Sequence, residues 1–223
     1  MDFSTYLFHC SGLANLMVKS KTKDDPLSQT TKSYLRDIFI QEVYKRKKYT
    51  DSKYTKKGTM VEPDTMDLVK TVTGKTYFKN NKTLANEWIT GTPDIITLES
   101  IKDVKSSWDL WTFAEVTEKK ARDDYYYQLL GYMWLSGLTR AELMYGLVNT
   151  PEFMVEDELK KIYLLNRLVG DFDVEKYKPN YIFDDIPAKE RLKTFILEYD
   201  QLVIDAIKTQ IEYSRAYLGS LSL

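Results

Sequence analysis

The stretch GTPDIITLESIKDVKSS, residues 91–107, holds the side chains of this sequence best suited to chemistry. It contains Thr-Pro-Asp and, nine residues after that aspartate, Asp-Val-Lys. Charged side chains inside a strand-like segment need a partner or a task. If the chain reverses at Leu98-Glu99, Thr97 faces Ser100 and, by the same count, Asp94 faces Asp103. Alternation along a strand then sends Asp103 and Lys105 to one face and Val104 to the other. Two carboxylates and one ammonium share a patch. The carboxylates repel, and each raises the pKa of the other unless a cation sits between them. Hard oxygen ligands with open water positions suit Mg²⁺ or Mn²⁺, and the carbonyl of Val104 lies close enough to act as a third ligand. Lys105 would not bind the metal. Its ammonium would orient and polarise an attacking water, or stabilise a phosphorane-like transition state. The chemistry of such a patch is metal-assisted phosphodiester hydrolysis. An Asp-x-Lys alone is commonly a surface ion pair on a strand. The second aspartate at hairpin distance is what adds weight.

These residues need elements to position them. Residues 11–19 read as a short helix, with Ser11 as N-cap and Leu13, Leu16 and Met17 on one face. A longer helix spans about 27–44, with Tyr34, Leu35, Ile38 and Phe39 inward. A basic run follows at 45–58, read as a mobile loop or a DNA-tracking segment; its only acid is Asp51. A helix from about 60 to 72 stops near Gly74. Strands are expected at roughly 76–80, 85–97 with a break near Gly91, and 101–106. A helix with apolar residues at threes and fours covers 123–137, a strand 141–150, and a helix about 153–169. A short strand is expected near Tyr181–Phe183, and a last helix from Pro187 to about Leu218. The order predicts a single α/β domain over 1–223, a small mixed sheet between helical layers with a long C-terminal helix.

Bulk composition narrows the setting. The chain has 223 residues, 43% apolar, 29% charged, with a net charge of −1. Any hold on a polyanion must come from local clusters. A single cysteine, Cys10, excludes an internal disulfide and a four-cysteine zinc or iron–sulfur site. A reducing, cytoplasmic setting is expected, with no signal peptide and no membrane span.

Four elements in order carry a resemblance: GTMVE with Glu62, GTPD with Asp94, DVK with Asp103 and Lys105, and YYYQLLGY with Gln128 and Tyr132. Together they resemble the PD-(D/E)XK nuclease superfamily, in its RecB-like branch of phage recombination exonucleases of the YqaJ and lambda types. The resemblance covers roughly residues 8–150. It implies a restriction-endonuclease-like core and a metal-dependent deoxyribonuclease. It implies metal on Asp94, Asp103 and Glu62, with Gln128 and Tyr132 bracing the site. It also implies linear duplex DNA as substrate, a possible ring of identical subunits, a separate single-strand annealing protein, and the host cytoplasm if phage-encoded. Asp103 stands where many relatives have glutamate, which the motif permits. One cysteine excludes the cluster-bearing nucleases, and no Walker motif accompanies the nuclease motifs.

Each supporting residue also has a plainer reading. Glu62 suits the first turn of any helix. Gln128 and Tyr132 could be a polar stripe on a packed helix. Ser11, in FHCSGLANLM, resembles the phage-exonuclease element that faces the DNA end, and is equally an ordinary N-cap. Lys47 and Lys48, with Tyr49 and Tyr54 nearby, could track DNA, as could Lys119, Lys120 and Arg122. Tyr125, Tyr126 and Tyr127 read as core and rim aromatics, one of which could stack on a base. His9 reads as structural. Three functions compete: an exonuclease acting from DNA ends, a structure-specific or nicking endonuclease on the same fold, and an inactive relative that only binds.

Overall fold

The computed structural model describes residues 2–49, 52–168 and 172–222. Two small sheets carry the architecture. The larger is built from β4 (Ile95–Ile96), β5 (Ile101–Ser106), β6 (Arg140–Gly146) and β7 (Leu192–Glu198), in that spatial order. β5 and β6 are parallel, while the outer pairs are antiparallel. Parallel neighbours need a crossover, and α6 (Glu118–Ser136) supplies it. The smaller sheet joins β1 (Phe8–His9), β3 (Ile89–Gly91) and β2 (Leu84–Ala85).

Alternation on β5 assigns the layers. Ile101 packs with Leu129, Leu130 and Met133 of α6, in a core that continues to α8 (Gln201–Ser220) through Ile204, Ile207 and Ile211. Val104 packs on the opposite face with Met144 and with Val69 of α4 (Glu62–Thr73). Asp103 and Lys105 follow Ile101 toward α6, as the period of two requires. α1 (Leu13–Leu16) and α2 (Gln29–Tyr44) complete the α6 side. Ser28 caps α2 by accepting from Thr31 N, and Leu35, Ile38 and Phe39 are buried as their spacing predicts. α4 ends at Gly74, whose φ of 69° is the left-handed turn that glycine adopts without a Cβ clash.

Several expectations need correction. The helix predicted after Pro187 is a 3₁₀ turn at Ala188–Arg191, then β7, and only then α8. Leu192, Phe195, Ile196 and Leu197 fit either period; pairing along the free edge of β6 decides for strand. Residues 76–80 form no strand. A 3₁₀ helix at Glu175–Tyr181 replaces the short strand near Tyr181. The basic run is not one loop: Ser52 caps α3 (Lys53–Met60), whose Lys57 is buried. Thr50 and Asp51 of that run lie outside the described residues, as does Val169, the expected end of the helix seen as α7 (Glu152–Asn166). Ser11 is not an N-cap. It sits inside a 3₁₀ turn, Cys10–Gly12, that leads into α1.

Candidate active site

The hairpin has the predicted register. Thr97 N donates to Ser100 O at 3.0 Å, and Ile95 pairs with Lys102. Asp94 therefore arrives beside Asp103. Its Oδ2 accepts from Val104 N at 2.8 Å. Asp103 is 1% exposed, and Lys105 Nζ lies 2.5 Å from its Oδ2. The other oxygen, Oδ1, accepts from Gln128 Nε2 at 3.2 Å. The same amide nitrogen donates to the Tyr132 hydroxyl at 3.1 Å. Gln128 and Tyr132 share the α6 face that packs on β5, so i and i+4 spacing brings both to Asp103.

The close approach of α6 has a cause in the GTPD stretch. A Cβ at Gly91 would lie 2.7 Å from the Tyr132 ring and 2.8 Å from Cys10 Sγ. Cys10 also touches Gly131, where an added Cβ would come within 2.9 Å of its sulfur. The glycines let β3, α6 and the Cys10 turn pack closely behind the site.

The electrostatics follow from burial. Asp94 is raised to about 6, first by burial and then by Asp103, against the pull of Lys105 and the Val104 N–H. Burial works to depress Lys105, but the two carboxylates reverse this and hold its ammonium above the ordinary lysine value. Tyr125 adds its ring 5.4 Å from Lys105 Nζ. The donor set fits a hard divalent cation. Two carboxylates meet against one ammonium, and Asp103 Oδ2 is a buried oxygen with no hydrogen bond of good geometry.

Glu62 opens α4, which is pinned to β5 by Thr65 Oγ1 and Ser106 Oγ at 2.7 Å. It lines the same cavity, of about 640 Å³, as Ser11, Asp94, Val104, Lys105 and Gln128. Its carboxylate is turned to Lys79, Nζ to Oε2 2.6 Å. Among the described residues, no three acids, histidines or cysteines gather as a ready-made metal cluster. Lys120 also lines the cavity. Lys48 pairs with Asp37, and Arg122 with Glu118. Lys47 and Lys119 are exposed.

Lys79 escaped the sequence reading, Lys57 was read only as part of the basic run, and Tyr125 only as a core or rim aromatic. Lys79 lies in an irregular segment whose neighbour Asn80 is pinned to Asp94 O (2.7 Å) and Pro93 O (2.9 Å). Lys57 donates to Trp108 O at 2.9 Å behind the cavity wall, and burial lowers it to about 7, against the pull of Asp109. Tyr125 stands three residues before Gln128 on the same helical face, a spacing that could have marked it.

No protein-family model and no curated protein sequence matches the chain. Solved structures do. A phage-related exonuclease from Haemophilus somnus 129PT superposes with a TM-score of 0.78 at 28% identity, over 96% of this chain and 94% of that one. An alkaline exonuclease from Laribacter hongkongensis matches at TM-score 0.66 and 14% identity, over 97% and 90%. That exonuclease in complex with dAMP matches at 0.65 and 15% over the same shares. The likeness in fold thus covers almost the whole chain, which shares its architecture with a phage-related exonuclease and an alkaline exonuclease.

Proposed function

We propose that the protein is a metal-dependent DNA exonuclease that hydrolyses phosphodiester bonds from the ends of linear DNA. The observation that carries this reading is Asp103: a buried carboxylate held by Lys105 and Gln128, with Asp94 beside it. The likeness to a phage-related exonuclease supports end-dependent cutting, and a fold neighbour in complex with dAMP supports nucleotide binding.

In this reading Asp94 and Asp103 hold Mg²⁺ or Mn²⁺, with the Val104 carbonyl and Glu62 completing the set. When bound, the ion supplies charge neutralisation at the phosphate and lowers the pKa of water. The chain itself does the rest. Water oxygen bonds to phosphorus and gives up a proton to solvent as the bond to the leaving ester oxygen breaks; that oxygen keeps the electron pair and takes a proton from solvent. Lys105, held protonated by its two carboxylates, faces the charge that builds on the phosphoryl oxygens. Gln128 fixes the Asp103 carboxylate through Oδ1, which leaves Oδ2 facing Lys105 and would leave it available to hold the ion. Tyr132, buried behind Gln128, orients that amide and does not reach substrate. Ser11 and Lys120 line the cavity where a phosphate would enter, with Lys47, Lys48, Lys119 and Arg122 as outer contacts. A ring of copies enclosing DNA, and a separate annealing protein, fit the same reading.

The test is digestion of an end-labelled linear duplex with Mg²⁺, beside a closed circle and the Lys105→Ala protein. Loss of the linear DNA alone is expected, with the mutant slower by about 100-fold or more, as for removal of one transition-state contact. Cutting of the circle would replace this reading with the endonuclease. Binding without cutting would replace it with the inactive relative.

A further inference from the structure

Glu62 lines the cavity that contains Asp94 and Lys105, and its carboxylate is ion-paired to Lys79. The two partners differ in how they are mounted. Glu62 is the first residue of α4, a helix fixed to β5, and its side chain is 21% exposed. Lys79 is 52% exposed, on a long flexible stem. Its backbone, however, does not wander. The next residue, Asn80, donates its N–H to Asp94 O at 2.7 Å and its side-chain amide to Pro93 O at 2.9 Å. Asn80 Oδ1 accepts from Lys82 N at 3.0 Å, closing a tight local turn. The segment is therefore hydrogen-bonded to the backbone of one of the two central carboxylates.

This placement has a chemical consequence. A carboxylate of the cavity lining is neutralised by a lysine that is itself half exposed, and a solvent-facing ammonium beside that lining can meet a phosphodiester. Resting on the nuclease reading above, the geometry points to Lys79 as an exchangeable counter-ion and substrate-positioning residue. It holds Glu62 in the free protein, then passes to a phosphate of the DNA strand, releasing Glu62 to the divalent cation. Both charges stay compensated at each stage: Lys79 by carboxylate and then phosphate, Glu62 by ammonium and then metal. No bond is made or broken covalently. Metal and DNA would then bind with positive coupling, because each frees the partner that the other needs.

The test uses the full chain and two readouts without catalysis. The first is calorimetric titration with Mn²⁺ in the absence of DNA. The second is anisotropy of a labelled linear duplex in EDTA at several salt concentrations. Lys79→Met should tighten Mn²⁺ by about twofold to fivefold, the range of a partly exposed ion pair. The same change should weaken DNA binding and make the log–log salt slope shallower by about 0.9, one duplex phosphate contact. Lys79→Arg should restore both to near wild type. No change in either readout with Lys79→Met would overturn the exchange, and so would a change in only one. Asp103→Asn separates this from failure of the nuclease reading. Were Asp103→Asn to bind Mn²⁺ like wild type, the reading itself would fall. Loss of Mn²⁺ in Asp103→Asn with an inert Lys79→Met would sink the exchange alone.

Discussion

Asp94 carries the conflict built into the site. Its folded pKa lies above the ordinary 3.8, at about 6, so between those values the folded chain holds a proton that the unfolded chain lacks. Stability from this group is therefore present at low pH and falls as pH rises through the window. Above it, two carboxylates face one ammonium. Asp94→Asn removes one of the like charges and keeps an oxygen to accept from Val104 N. At about pH 8 we expect this variant to melt higher by about 2–4 °C per kcal/mol gained, on the order of 1 kcal/mol, while losing cleavage. The gain should vanish near pH 4, where the wild-type group is protonated, and calorimetric melts at both values check it. An unchanged or lower melting temperature at the higher pH would refute the conflict. Asp94, Asp103 and Lys105 were legible in the sequence because a hairpin count and a period of two are local rules. Gln128 and Tyr132 were legible only through the resemblance. Lys79 was not legible, since Asn80 fixes it by hydrogen bonds to residues 13 and 14 positions away, and no local pattern encodes them.

At the scale of elements, the wall formed by α3 stands on a buried amine. Lys57 is 1% exposed, donates to Trp108 O and lies 5.4 Å from the Phe183 ring centroid. Its folded pKa of about 7 is below the ordinary 10.5, so within that range the folded chain binds fewer protons than the unfolded chain. The sign is opposite to that of Asp94: this contribution to stability rises with pH from about 7 upward and is lost as pH falls through 7. Chemical denaturation at a series of pH values should show the rise, with a slope approaching about 1.4 kcal/mol per pH unit, and Lys57→Met should flatten it. A slope that survives the substitution would assign it to other groups. The α3 wall was hidden in the sequence because Lys53, Lys56 and Lys57 read as a solvated basic run, and only tertiary packing shows which of them turns inward. β7 was hidden for a related reason. Its apolar residues suit a helix as well as a strand, and pairing with β6 decides. Where local and tertiary signals agree, as in α2, β5 and the Gly74 stop of α4, the elements were read closely.

At the scale of the molecule, the sheet is clamped between α4 on one face and α6 with α8 on the other, and the site opens where β4, β5 and α6 meet. Cys10 sits behind that meeting point, against Gly91 of β3 and Gly131 of α6. It is the one thiol of the chain, fully buried, and burial raises it to about 12. A thiol reagent can reach it only when β3 and α6 part. Cys10 is therefore an internal clock for opening. Its alkylation rate at neutral pH, compared with that of the denatured chain, gives the free energy needed to separate the layers behind the site. A rate slower by about a thousandfold or more is expected if this region opens only with a large part of the fold. Labelling at nearly the denatured rate would mean that the two layers part freely. Because the chain supplies one natural reporter at the junction of the smaller sheet and α6, the breathing of that junction can be timed without engineering a new residue.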